Sequence, residues 1–215
     1  MHPIIKHCAL FQGMTQEQIE KALTLMQAKR FRYKKGEMML RVSDKVSRFW
    51  LVLRGTVHVS MDEADGSHLI MASVSEGETF GESLCFLGKE APVYAEAKTA
   101  AEVLELQGHF LHTPTADPLI FLLQQRYTAM LAKRTLEMNA RIQTLCKRNM
   151  REKVLHLCFH FGGRPDGKPF TLPFDRSGMA FYLGVDRSAL SRELAKMKNE
   201  GILDFTKNTF VWKIQ

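Results

Sequence analysis

The apolar positions of this chain keep different rhythms in different segments. The first is helical. Thr15-Gln16-Glu17-Gln18 reads as a capping box, in which a hydroxyl and an amide side chain satisfy backbone N–H groups reciprocally. Ile19, Leu23 and Met26 then recur at steps of four and three, the apolar face of a short helix. From Phe31 to about Leu106 the rhythm shortens and glycine punctuates it. Lys35-Gly36-Glu37, Arg54-Gly55 and Glu76-Gly77-Glu78 mark turns. Residues 49–53 form an apolar run too short for a helix and predict a buried strand. Residues 56–61 and 68–74 predict two more strands, joined at the hairpin signal Asp65-Gly66-Ser67. Strands spaced by roughly 8–12 residues with turns between them predict a sandwich, roll or barrel.

After Pro114 the helical rhythm returns. Residues 117–148 hold no glycine, and their one proline, Pro118, stands near the start, where a helix tolerates it. Ile120, Leu123, Tyr127, Met130, Leu131, Met138, Ile142 and Leu145 make one apolar stripe. A helix of about 30 residues is roughly 45 Å long. That length calls for a coiled-coil-like partner; the alternative is a long helix packed only within its own chain. A compact unit follows from Met150. Val154, Leu155, Cys158 and Phe159 predict a helical face, Asp166-Gly167 a turn and residues 170–174 a short edge strand. Two helices come next. A hairpin over 203–205 and 210–212, turning at Lys207-Asn208, closes the chain.

The densest pattern lies at 175–198. Asp175 can cap a helix over 176–183 whose apolar positions are Met179, Tyr182 and Leu183. Ala180 is small where a second helix must cross, and Gly178 costs the first helix about 1 kcal/mol of propensity. Gly184 ends it, Val185 fills the turn, Asp186 caps the second helix and Gly201 closes that one. Helix, tight glycine turn, helix is the helix-turn-helix plan. Leu190, Leu194 and Met197 share one face of the second helix. Ser188, Ser191, Arg192 and Ala195 lie opposite, with Arg187 at the N-terminal edge. A recognition helix offers such residues to base edges in the major groove. Arginine can bond guanine O6 and N7 together, and serines and the helix N-terminus suit phosphate. Arg187 and Arg192 are therefore the expected base contacts, and Ser188 and Ser191 the secondary ones. Lys196, Lys198, Arg176 and the hairpin's Lys207 are the expected phosphate-attracting cations.

Charge agrees with that placement. The net charge is +7, but residues 147–215 carry 13 Lys/Arg against 7 Asp/Glu, and residues 1–146 carry 17 against 16. A basic segment on a nearly neutral body points to a polyanionic partner there. The four cysteines, Cys8, Cys85, Cys146 and Cys158, form no C-x-x-C pair, so neither zinc nor a redox dithiol is signalled. No run reaches the roughly 18 apolar residues of a membrane span. Residues 1–6 lack a signal peptide's apolar core, so the expected location is the cytoplasm.

Residues 183–194, Leu-Gly-Val-Asp-Arg-Ser-Ala-Leu-Ser-Arg-Glu-Leu, resemble the recognition element of the Crp/Fnr family of regulators. Residues 33–37 (Tyr-Lys-Lys-Gly-Glu) and 80–82 (Phe-Gly-Glu) resemble its β-roll motifs, and Arg151-Glu152-Lys153 resembles its hinge into the DNA-binding domain. The resemblance implies an α+β fold in three parts. Residues 1–115 would be a cyclic-nucleotide-binding-like β-roll (jelly roll) that senses an effector. Residues 116–148 would be a long dimerisation helix, and residues 149–215 a winged helix-turn-helix. It implies double-stranded DNA as partner, a homodimer along the long helix, RNA polymerase if the protein activates, and no membrane. It places the effector near Phe80, Gly81, Glu82 and Tyr127.

The chain also departs from the family. Cyclic-nucleotide binders follow Gly-Glu with an Arg-Ser or Arg-Thr pair that grips the phosphate; here Ala91-Pro92-Val93 has no arginine. Iron–sulfur members carry an N-terminal cysteine cluster, where this chain has only Cys8. For haem the candidates are lone histidines, His2, His7, His58 and His68. The effector is thus unknown, with cyclic nucleotide, haem and cluster each disfavoured. Many members have glutamate where this chain has Ser188, so its half-site should differ at that base pair.

Two rival readings belong to other classes. A β-roll can house a metal enzyme, but His109/His112 and His156/His160 form neither H-x-H nor H-E-x-x-H. A ligand-binding module acting on a protein partner would not need Arg187, Ser191, Arg192 and the basic last third. No catalytic residues and no metal ligands are assigned.

Overall fold

The computed structural model describes residues 2–62 and 68–213. It divides into two compact units, Met1–Ala132 and Lys133–Gln215, each built around its own core.

In the first unit, α1 (Gln16–Leu25) begins at Thr15 with the foreseen capping box, both arms of it formed. Two four-stranded antiparallel sheets follow. One has the order β1 (Lys29–Tyr33), β8 (Ala101–Gln107), β3 (Arg48–Arg54), β6 (Thr79–Phe80). The other runs β2 (Met38–Leu40), β7 (Tyr94–Ala97), β4 (Val57–Asp62), β5 (His68–Val74). Strand β3 is interior to its sheet, which is why its run from Phe49 to Leu53 is apolar without alternation and wholly buried. The Asp65-Gly66-Ser67 signal lies outside the described residues; the strands on either side of it, β4 and β5, pair antiparallel.

A helix in the midst of the strands was not foreseen. Residues 82–87 form a short helix, α2 (Glu82–Leu87), opened by Gly81 in the left-handed conformation (φ 79°). A side chain at Gly81 would meet the Trp50 ring at 2.8 Å, so glycine is required on two counts. Six residues carry too little periodicity to announce a helix.

The long helix α3 (Pro118–Leu145) starts under Asp117, whose carboxylate accepts from the N–H groups of Leu119 and Ile120. It ends three residues before the expected 148, because Asn149 caps α4 (Met150–Gly162) by accepting from Glu152 N–H. Leu123, Tyr127 and Met130 of its stripe are buried in the first core, whereas Met138 and Ile142 are exposed.

In the second unit the expected α4 face is corrected. Val154, Leu157 and Cys158 are buried, and Phe159 is 44% exposed against the Trp212 ring. Spacing alone did not separate Leu155 from Leu157. Helices α5 (Arg176–Leu183) and α6 (Arg187–Asn199) come next, then a sheet in the order β10 (Leu203–Thr206), β11 (Thr209–Trp212), β9 (Pro169–Thr171). Strand β9 is at the edge, as its sequence predicts. No helix among the described residues is long and apolar enough to cross a membrane.

Candidate nucleic-acid interface

The helix-turn-helix forms from the local signals read above. Asp175 accepts from Gly178 N–H at 2.7 Å and Asp186 from Ala189 N–H at 2.8 Å, so both helices are capped by carboxylates. Between them Gly184 adopts φ 61°, the left-handed C-terminal conformation. Met179, Ala180 and Leu183 of α5 and Leu190, Leu194 and Met197 of α6 are buried in one core with Leu203, Phe210 and Trp212.

That burial fixes what α6 shows outward. Arg187, Ser188, Ser191, Arg192, Ala195 and Lys196 are all exposed. Among the described residues, Arg187, Arg192 and Lys196 enter no ion pair within 4 Å. The Asp186 carboxyl is held below its usual range, first by the Ser188 hydroxyl and least by the Arg192 charge. Both serines already donate within the chain: Ser188 to Asp186, and Ser191 to the Arg187 carbonyl at 3.0 Å. Their hydroxyls remain able to accept, and to donate after a rotation.

The other expected cations divide. Lys207 stands at the β10–β11 turn, exposed, with φ 55°. Arg176 is half-buried: it lies 4.9 Å over the Phe205 ring and donates to the Lys207 carbonyl at 3.4 Å. Burial and the neighbouring Arg187 charge lower its guanidinium from the usual value. Arg176, Arg187, Lys207, Asp175 and Asn208 line a shallow cleft of about 470 Å³ where the recognition helix meets the hairpin. Lys198 is exposed and engaged within the chain. It is paired with Asp204 and sits 5.5 Å over the Phe205 ring, which joins α6 to the hairpin. Arg151 was read only as part of the hinge. It donates to Glu193 at 2.7 Å and to Glu200 at 2.6 Å, clamping α4 to α6.

In the first unit, the expected effector residues come together, with the Phe80, Glu82 and Tyr127 side chains buried. Phe80 is buried and stacks on Trp50, ring centroids 5.1 Å apart. Glu82 is buried, its carboxylate accepting from the Thr79 hydroxyl at 3.2 Å. The Tyr127 hydroxyl donates to the Glu82 carbonyl, and its ring packs against Phe49 and Phe86. Burial pushes that hydroxyl's pKa far above its usual value. The sequence reading missed Trp50, whose indole N–H is buried without a partner among the described residues. A tryptophan inside a buried strand was its one signal. The residues do not fit the family's phosphate grip, since no arginine stands between Gly81 and Tyr94.

Of the histidine candidates, His156 bonds the Thr144 hydroxyl at 2.8 Å. The side chains of His68, His109 and His112 lie outside what is described. No group of three or more His, Cys, Asp or Glu among the described residues is placed to hold a metal.

Known proteins align with both units. The family description "Cyclic nucleotide-binding domain" matches residues 30–113, and "Crp-like helix-turn-helix domain" matches residues 150–213. The cAMP-activated global transcriptional regulator CRP of Escherichia coli is 20% identical over 186 residues, covering 84% of this chain and 87% of that protein. Among solved structures, the Thermus thermophilus catabolite activator protein has a TM-score of 0.52 at 23% identity, covering 95% of this chain and 93% of that one. The c-di-GMP-responsive regulator CLP of Xanthomonas campestris has a TM-score of 0.62 at 20% identity, covering 94% and 100%. With its β-roll and its helix-turn-helix each matched by such a domain, the chain belongs to the Crp/Fnr family of transcription regulators.

Proposed function

We propose that this regulator is a cytoplasmic homodimer that reads a pseudo-palindromic DNA site with α6 and answers to an effector other than cyclic AMP. The outward face of α6 carries this reading. Among the described residues Arg187 and Arg192 enter no ion pair and stand beside Ser188 and Ser191, opposite a fully buried apolar face. Arginines in that position are the common readers of guanine in the major groove. Lys196, Lys207 and Arg176 add attraction to phosphate. The exposed Met138 and Ile142, four residues apart on α3, support pairing along that helix, with half-sites about one helical turn of DNA apart. In functional terms residues 1–115 sense, 116–148 dimerise and 149–215 bind DNA. RNA polymerase is a partner if binding activates; no catalytic role is assigned.

The effector site we propose is the Phe80, Gly81, Glu82 and Tyr127 cluster. Two relatives are named for different cyclic nucleotides, one cAMP-activated and one responsive to c-di-GMP, so the fold does not dictate the ligand. The missing arginine after Gly81 argues against a cyclic phosphate here, and the Trp50 N–H, without a partner among the described residues, offers a donor to another ligand.

Fluorescence anisotropy on the gene's own upstream DNA tests the reading, with unrelated DNA as competitor and a salt series. Wild type should resist the competitor and weaken steeply with salt. Arg192→Ala should lose about 10–100-fold in specific affinity, as loss of one bidentate base contact does. Equal binding by wild type and variant, with and without cell extract, and no enrichment in genome-wide site selection would defeat it.

A further inference from the structure

The turn of the helix-turn-helix is braced from behind by the long helix. The last carbonyls of α5 lack the full set of helical partners, and the Phe181 carbonyl accepts from the Gly184 N–H at 3.2 Å. Arg141 of α3 supplies two further donors: its Nε donates to the Tyr182 carbonyl at 3.3 Å and its Nη2 to the Phe181 carbonyl at 3.2 Å. Its guanidinium also lies 4.7 Å over the Phe181 ring and 5.6 Å over the Tyr182 ring. Lys153 of α4 donates to the next carbonyl, Leu183, at 3.2 Å. Cations at a helix C-terminus are favoured by the helix dipole. One turn beyond Arg141, Leu145 reaches the turn itself: a Cβ on Gly184 would stand 3.2 Å from its Cδ2. Thr144 meets His156 of α4 at 2.8 Å. All of these residues belong to the Lys133–Gln215 unit.

These contacts span the linker 146–149 between α3 and α4. A four-residue linker gives little freedom when the elements on either side of it are joined through a third. We infer that Arg141 is a positioning residue, fixing the recognition helix to the last turns of α3, so that the DNA-reading face moves with α3 instead of swinging on residues 146–149. This rests on the DNA-binding reading above. It also explains a sequence feature that reading left unused: Arg141 falls on the apolar stripe of α3, three residues after Met138 and four before Leu145. A turn or shift of the last turns of α3 then re-aims Arg187 and Arg192 directly.

The test compares full-length wild type, Arg141→Ala and Arg141→Lys, each corrected for its folded fraction. Hydrogen exchange at the amides of residues 184–190 needs no DNA. It should quicken in Arg141→Ala, whose melting need not change in proportion. In the same protein, affinity for the selected site should fall about tenfold or more, the scale of lost bonds to a charged group. Affinity for unrelated DNA and the slope of affinity against salt should stay at wild-type values. Arg141→Lys should recover part of the loss, since one ammonium cannot bond two carbonyls and stack on two rings. Exchange at the wild-type rate overturns the inference. So does a uniform loss on all DNA with a shallower salt slope, which marks Arg141 as a phosphate contact. Should wild type prefer no DNA, the DNA-binding reading fails, and the exchange measurement still decides the role of Arg141.

Discussion

The two candidate sites are built on opposite plans. On α6 the functional side chains are long, charged and exposed, and the apolar face behind them is buried. At the β-roll cluster the proposed effector side chains are themselves core: Phe80, Glu82 and Tyr127 are each buried, and the Tyr127 hydroxyl is bonded to the Glu82 backbone. The first is a finished surface that needs only a partner of the right shape and charge. A ligand that reaches the buried groups of the second has to move packed side chains, Tyr127 of α3 among them. A sensor has to couple binding to structure, whereas a reader has to hold still.

The largest expected effect separates the two cores. Leu194→Ala deletes a fully buried side chain of the second unit and should cost about 2–5 kcal/mol. Pulsed alkylation with peptide mapping reads it, because Cys158 is buried in the second unit, its thiol pushed up to about 12, and Cys85 in the first, pushed up to about 11. Cys158 should become reactive while Cys85 stays protected and the exposed Cys146 reacts throughout. Simultaneous exposure of Cys85 would mean that the two units unfold as one.

Tyr127→Phe sharpens the sensor side. It keeps the ring contacts and removes one hydrogen bond to the buried Glu82 carbonyl, which should cost about 0.5–1.5 kcal/mol. Denaturant unfolding of the first unit, followed through Cys85, should shift to lower midpoint, with the salt slope of DNA binding unchanged. No shift would show that water already reaches this cluster.

The smallest effect is in pH. His58 in the first unit and His156 in the second are both lowered from the usual histidine value. Burial is the main cause in each. For His58, Lys98 adds to it and Glu96 opposes; for His156, Lys147 and His160 add to it. A depressed histidine is neutral in both folded and unfolded chains above the unfolded value near 6.5, and below it the unfolded chain takes the proton first. Stability should therefore be level above that pH and decline as pH falls through it. His156→Gln should flatten the decline for the second unit alone, seen as Cys158 protection between pH 5 and 7, values chosen to bracket the ordinary histidine range of about 6.5. An unchanged profile would assign the effect to other groups.

How much of this was legible in the chain follows from the range of each interaction. Helix α6 could be read almost to the residue, because its cap, its faces and its closing Gly201 are all local signals within a dozen or so positions. The capping box at Thr15 and the buried strand over 49–53 were legible for the same reason. The fates of the cations were not. Arg187, Arg192, Arg176 and Lys198 look alike in sequence, yet two stand exposed outside any ion pair among the described residues, one stacks on Phe205 and one pairs with Asp204. Those outcomes depend on a hairpin that starts several residues beyond α6 and folds back onto it. Helix α2 was hidden because six residues cannot show a period, and Trp50 because its partner Phe80 is thirty positions away. Local backbone chemistry determined the elements and their capping. Only tertiary packing decided which charges stay free to meet DNA, and that Arg141 braces the reading head.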